Sequence, residues 1–262
     1  STNQPAGLFI IMTDHFKIVI PARYDSSRFP GKPLVDIHGK TMIQRVYESA
    51  LESGASEVVI ATDSTLIGMA AEEFGATVCM THAEHASGTD RLCEVVDKLE
   101  WADDTVVVNL QGDEPLMQPA IVNQVAVNLI KNDAAGCATL YTGLSHEDAG
   151  NPNMVKVVTD ARDFAMYFSR SVIPYIRDSE DAAVAELVYK RHIGIYAYKV
   201  EMLKEFRTMQ PCELEQIEKL EQLRLMWHGI KIHVAQASSI PGHGVDTPED
   251  LERVRAAIAP GF

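Results

Sequence analysis

Residues 16–34 read FKIVIPARYDSSRFPGKPL. Phe16–Ile20 is a short, largely apolar run that predicts a strand. The loop that follows, PARYDSSRFPGKPL over 21–34, concentrates Arg23, Arg28 and Lys32 with Ser26, Ser27 and Gly31. A loop at the carboxyl end of a first parallel strand sits where open α/β sheets bind ligands. Three cations, hydroxyls and a permissive glycine can wrap a polyphosphate. Pro30 and Pro33 fix local backbone angles, which argues against a merely floppy basic loop. The loop is not a Walker loop: Gly39-Lys40-Thr41 has the right ending, but Leu34 stands where the earlier glycine is required. Nor is it G-x-G-x-x-G, so a kinase or an ordinary dehydrogenase is poorly supported.

Outward from this loop, short apolar runs alternate with amphipathic stretches. Met42–Ser53 reads as a helix, Val58–Thr62 as a strand, Leu66–Phe74 as a helix and Thr77–Thr81 as a strand. Asp90–Leu99 is helical, Thr105–Leu110 a buried strand and Ile121–Ile130 a helix. Such alternation implies a parallel sheet covered on both faces. After residue 135 the pattern changes: Gly136–Thr142, Met154–Thr159, Ala165–Ser169 and Tyr189–Tyr198 read as strands without regular helices between them. A smaller mixed-sheet lobe is expected there, and 136–200 is a candidate subunit contact. Residues 177–186 read as an exposed loop. The end returns to α/β style, with one helix over Glu213–His228, a strand over Lys231–Ala237 and a helix over Pro248–Ile258 capped by Thr247. Residues 1–15 are set aside as an N-terminal extension outside the fold, Met12 being a possible natural start, and 16–262 is read as one domain.

The 262 residues suffice for a buried core. With 23 basic against 37 acidic residues, the net charge of −14 disfavours nucleic-acid coating and anionic-membrane roles. The cysteines Cys79, Cys93, Cys137 and Cys212 are scattered, which suggests no disulfide framework and fits a reducing cytoplasm. Cys79, His82 and His85 invite a zinc reading, but no fourth ligand follows at a standard interval. No apolar run reaches the length of a membrane span.

Thr105–Leu110 leads into Gln111-Gly112-Asp113-Glu114-Pro115. A carboxylate just past a strand end can hold a divalent ion against phosphate oxygens, and Mg²⁺ needs few protein ligands. Asp113 is read either as such a ligand or as a turn aspartate. Asp246, just before the last helix, is read as a ligand or as part of a helix start.

PARYDSSRFPGKPL resembles the signature loop of the 3-deoxy-manno-octulosonate cytidylyltransferases, the CMP-Kdo synthetases. HASGTDR (85–91), NLQGDEP (109–115), NPNMVKVV (151–158), YFSR (167–170), RHIGIYAY (191–198), LEQLR (220–224) and PGHGVDTPEDLERV (241–254) are similar to the same family in the same order. The resemblance implies a nucleotide-diphospho-sugar transferase-like α/β fold, a cytoplasmic homodimer, CTP and the acidic sugar Kdo as substrates, and Mg²⁺ as cofactor. It implies Asp113 and Asp246 as metal ligands, with Arg23 and Lys32 as catalytic cations. Ala22, Arg23, Arg28, Lys32, Ser87, Gly88 and Thr89 would bind the nucleotide. Arg91, Gln111, Arg170, His192, Tyr196, Glu221 and Gln222 would bind the sugar. The nearest rival is a cytidylyltransferase for a nine-carbon acidic sugar. A different class is a non-catalytic nucleotide-sensing module on the same fold.

Overall fold

The structure, a computed structural model, describes residues 16–25, 29–85, 87–177 and 188–258. Arg28, with Ser26 and Ser27, lies outside the described residues, as do 1–15 and nearly all of the loop expected at 177–186. Four strands form the parallel heart of the main sheet: β1 (Phe16–Ala22), β4 (Glu57–Thr62), β5 (Thr77–Met80) and β6 (Val106–Asn109). With β7 (Cys137–Gly143), β10 (Lys190–Lys199) and β11 (Ile232–Gln236) the order is β11-β7-β10-β6-β1-β4-β5. Only β10 runs against its neighbours β6 and β7; β11 pairs parallel with β7. A hairpin of β2 (Asp36–Ile37) and β3 (Lys40–Thr41) stands apart. β8 (Lys156–Thr159) and β9 (Ala165–Ser169) pair antiparallel and branch from β10, forming the expected mixed extension.

Strand alternation explains how one sheet serves two cores. Ile18, Ile20, Val58, Ile60, Val106 and Val108 pack with α1 (Met42–Leu51), α2 (Thr65–Glu73) and α4 (Pro119–Ile130). Their neighbours Val19, Val59 and Val107 pack on the other face. There they meet α3 (Gly88–Lys98) and α6 (Val200–Phe206). This double burial is why β1 and β6 read as nearly continuous apolar runs.

Two local expectations are corrected. The strands expected over 136–198 do have a short helix between them, α5 (His146–Ala149). The helix α6 follows β10 directly, just past the strand expected to end at Tyr198. The single helix expected over 213–228 is two, α7 (Glu213–Glu218) and α8 (Gln222–Trp227). Lys219 turns left-handed at φ 53°, which sends Leu220 into the core at 6% exposure. Arg224 spans the break to Glu215 at 2.5 and 2.8 Å. The last helix is α9 (Pro248–Ala257), with Thr247 and Asp250 forming a capping box.

The chain runs from β1 outward to β4 and β5, then returns to lay β6 on the other side of β1. The strand order therefore reverses between β1 and β6, and a crevice opens at their carboxyl ends.

Candidate active site

Both walls of that crevice come from strand ends. Pro21, Ala22, Arg23 and Asp25 leave β1, while Gln111, Gly112 and Asp113 follow β6. Lys32, Pro33 and Gly88 complete the lining. Gly112 lets the two strand ends approach: a Cβ there would lie 2.9 Å from the Pro21 carbonyl oxygen. Gly31 closes the basic loop with φ 68°, its N–H donating to the Tyr24 carbonyl at 2.9 Å.

The loop delivers Lys32, whose side chain is 11% exposed, to two acids. Its Nζ lies 2.6 Å from Asp113 Oδ2 and 3.7 Å from Asp246 Oδ1. It also donates to the Val245 carbonyl at 2.7 Å, while the Val245 N–H donates to the Asp113 carbonyl at 2.8 Å. The segment before α9 is thus stitched to the turn after β6, and the two aspartates converge on one cation. The acids are more exposed than the lysine, at 34% and 56%. They present hard oxygen donors toward the cleft mouth, a donor set that fits Mg²⁺, which takes few protein ligands and completes its shell with phosphate and water.

Glu114 sits behind this pair. Burial, with Asp113 and Asp246 close by, pushes its carboxyl up to about 7, against an ordinary 4.5. Between these two values the folded chain holds a proton that the unfolded chain has released, so stability falls as pH rises. We expect Glu114→Gln to flatten this decline between about pH 5 and 7 in metal-free protein, as read by denaturant unfolding across that range.

Arg23 reaches across the crevice and donates to the His85 carbonyl, with the Ser87 carbonyl at 3.5 Å. Burial and then Arg91 pull its pKa below the ordinary value. Ser87 caps α3 and forms a capping box with Asp90; Gly88 and Thr89 open the helix. The amino end of an eleven-residue helix thus adjoins the cleft and favours anionic ligands.

A second polar cleft adjoins the first, and Gly88 and Gln111 line both. Thr89, Asn109, Tyr196, Tyr198, Glu221 and Gln222 line the rest. Gln111 donates to Asn109 at 3.2 Å, and Thr89 donates to Glu221 at 2.5 Å. Burial raises the Glu221 carboxyl, against hydrogen bonds from Ser87 and Thr89 that lower it. Glu221 and Gln222, at the start of α8 just past the break at Lys219, both line this cleft. Among the described residues the buried Tyr196 hydroxyl has no hydrogen-bond partner, which suits a group that can bond a ligand.

His192 stands behind Tyr196, its ring 5.3 Å away centroid to centroid and edge-on to Phe168. A bulge between Ile193 and Tyr196 places them opposite Leu140 and Thr139, so His192 and Tyr196 share a face at close spacing. The Thr139 hydroxyl holds the bulge at the Ile193 and Ile195 carbonyls and lies 3.0 Å from His192 Nε2. Burial and then Arg191 pull the His192 pKa down to about 3, so the ring is neutral near pH 7.

Besides His192, Arg91 and Arg170 line neither cleft. Arg91 is fully buried, donating to Asp63 at 3.0 Å and to Thr81. The Arg170 guanidinium donates to the carbonyls of Glu218, Pro152 and Lys219, tying the end of α7. Sequence reasoning in turn missed Asn109 and Tyr198 as cleft residues, because both read as strand interior. The zinc reading fails: Cys79 is buried, both histidines face Glu94, and no group of three or more His, Cys, Asp or Glu among the described residues is arranged to hold a metal. No helix among them is long and apolar enough to cross a membrane.

The profile of a family described as cytidylyltransferase matches residues 17–232. The 3-deoxy-manno-octulosonate cytidylyltransferase of Vibrio parahaemolyticus serotype O3:K6 is 54% identical over 93% of this chain and 98% of its own. Its counterpart in Vibrio campbellii is 56% identical over the same shares. Among solved structures, CMP:2-keto-3-deoxy-manno-octonic acid synthetase complexed with CTP superposes with a TM-score of 0.86 at 48% identity, covering 93% of this chain and 98% of that one. With a crevice at the strand-order reversal and relatives matched over nearly their whole length, this chain belongs to the 3-deoxy-manno-octulosonate cytidylyltransferase family.

Proposed function

We propose that this chain transfers CMP from CTP to Kdo, giving CMP-Kdo and pyrophosphate, with the triphosphate in the first cleft and the sugar in the second. The observation that carries this reading is the meeting of Asp113 and Asp246 at Lys32 where two clefts share Gln111 and Gly88. The relative solved with CTP supports the choice of nucleotide.

In this reading Arg23 and Lys32 offset charge on the triphosphate and on the departing pyrophosphate. Ala22 and the Ser87–Thr89 turn flank the base and ribose. Gln111, Tyr196, Glu221 and Gln222 hold sugar hydroxyls and aim the anomeric hydroxyl at the α-phosphorus, opposite the leaving pyrophosphate. Asp113 and Asp246 would hold Mg²⁺, which would neutralise phosphate charge and make the attacking hydroxyl more acidic. His192 supports Tyr196 from behind. Arg91 braces the first cleft through Asp63 and Thr81, and Arg170 fixes the α7–α8 break beside Glu221.

The same reading carries a cytoplasmic homodimer whose product serves lipopolysaccharide synthesis. Met166, Val172 and Tyr175, exposed by 63%, 41% and 84%, give the 136–200 region apolar surface for a subunit contact. Pyrophosphate release measured with CTP, UTP and ATP against Kdo and a nine-carbon acidic sugar tests the function. Release is expected with CTP and Kdo only. Faster release with the nine-carbon sugar would replace the sugar assignment, and CTP binding without release on any sugar would favour a sensing module.

A further inference from the structure

Glu94 lies on the outer side of α3 and lines neither cleft of the proposed site. Its side chain is nonetheless 12% exposed and gathers an unusual set of partners. Oε2 accepts from the His82 backbone N–H at 2.9 Å and lies 2.5 Å from His85 Nε2. Oε1 lies 2.7 Å from Lys98 Nζ, and Lys98 donates to the carbonyl of Met80, the last residue of β5. His82 Nε2 stands 3.7 Å from Oε1. One carboxylate therefore fastens both ends of the turn 82–85 to the helix that follows it.

The opposite side of this turn faces the nucleotide cleft. Its last carbonyl, that of His85, receives the Arg23 guanidinium, and the Ser87 carbonyl lies within reach of the same group. Among the described residues, the polar contacts of the turn 82–85 with the rest of the chain are to Glu94 and Arg23. Arg23 has a long, rotamer-rich side chain at the mouth of the cleft, and fixed carbonyl acceptors are what give it one orientation. Those acceptors hold their place only as firmly as the turn is held from behind.

We propose that Glu94 is a positioning residue for nucleotide binding: by fastening the 82–85 turn to α3, it sets the carbonyls that orient Arg23 toward the triphosphate. Burial opposes the charge on Glu94, yet the bonds from Lys98, His85 and His82 hold its carboxyl at about 2. The tether is thus ionised throughout the range in which the chain would be assayed. Its loss would not touch Asp113, Asp246 or the second cleft, so the effect should fall on the nucleotide alone. The inference rests on the first cleft holding the nucleotide, as proposed above.

The test uses the full chain as Glu94→Ala, Glu94→Gln, Arg23→Ala and the Arg23→Ala/Glu94→Ala double variant. Steady-state kinetics in CTP and in Kdo are paired with calorimetric binding of CTP alone. Glu94→Ala should raise KM and Kd for CTP about tenfold and leave KM for Kdo within about twofold of the parent, with any fall in kcat no larger than that of Arg23→Ala. Glu94→Gln, which keeps an acceptor for the His82 N–H, should raise them about threefold. In the Arg23→Ala background, removing Glu94 should add less than about twofold, because the two act through one turn. Unchanged CTP affinity in Glu94→Ala would overturn the proposal. So would an equal rise in KM for Kdo, a fall in kcat larger than that of Arg23→Ala, or full additivity with Arg23→Ala. If Glu94→Ala does not fold, Glu94→Gln carries the same decision. CTP binding decides the matter without a sugar, so failure of the parent to turn over Kdo would overturn the sugar assignment and leave the Glu94 result standing.

Discussion

Asp113→Ala and Asp246→Ala each lower turnover at saturating CTP and Kdo by at least about a hundredfold, or close to 3 kcal/mol of transition-state stabilisation. The expectation follows from where the acids stand. They come from the turn after β6 and from the segment before α9, and nothing local brings them together. The meeting is enforced by the Val245 N–H on the Asp113 carbonyl and by Lys32 on both carboxylates. Each alanine removes one of the two hard donors proposed for Mg²⁺, so raising the metal concentration should recover only part of the loss. Pyrophosphate release against Mg²⁺ concentration measures this. Near-parental, magnesium-dependent turnover in either variant removes that residue from the metal site.

Lys32→Ala is the second large effect. The Lys32 ammonium contacts both acids, and Glu114 adds a third carboxyl behind them. Its loss should lower kcat/KM for CTP at least about a hundredfold, by removing charge compensation for the triphosphate. It should also lower the unfolding midpoint of metal-free protein by several degrees, since the ammonium that bridges the two acids is then lost. Mg²⁺ should restore more of that midpoint in Lys32→Ala than it adds to the parent, because the ion and the ammonium compensate the same charges. Arginine should substitute poorly: a guanidinium is too broad for a nest bounded by the Val245 carbonyl and the two carboxylates. Parental kinetics in Lys32→Ala would take this residue out of the phosphate site.

The sequence was most informative where burial is symmetric. Phe16–Ile20 and Thr105–Leu110 are largely apolar because both faces of β1 and β6 are covered, and the helices between them carry clear 3–4 spacing. The crevice follows from that alternation, since a sheet that reverses its strand order opens at the reversal. The convergence of Asp113 and Asp246 has no local signal and could be reached only through the resemblance. Break points were less legible. Lys219 is an ordinary helix former, and it turns left-handed because Leu220 must enter the core, a demand set by tertiary packing. Arg91 and Arg170 look like free cations in a string of letters. The fold gives them internal partners, a half-buried carboxylate for one and three peptide carbonyls for the other. Asn109 and Tyr198 err the other way: as strand residues they read as core, yet they end in the wall of a cleft because β6 and β10 stop or bulge beside it.

The central claim is that the carboxylates at 113 and 246 share one divalent ion beside a nucleotide. The anomalous scattering of Mn²⁺, soaked with CTP into crystals of this chain, tests it most directly. The account predicts an anomalous peak in contact with both carboxylates and a phosphate oxygen, with Lys32 displaced toward the phosphates. Manganese bound only to the triphosphate, with both aspartates still paired to Lys32, would contradict it.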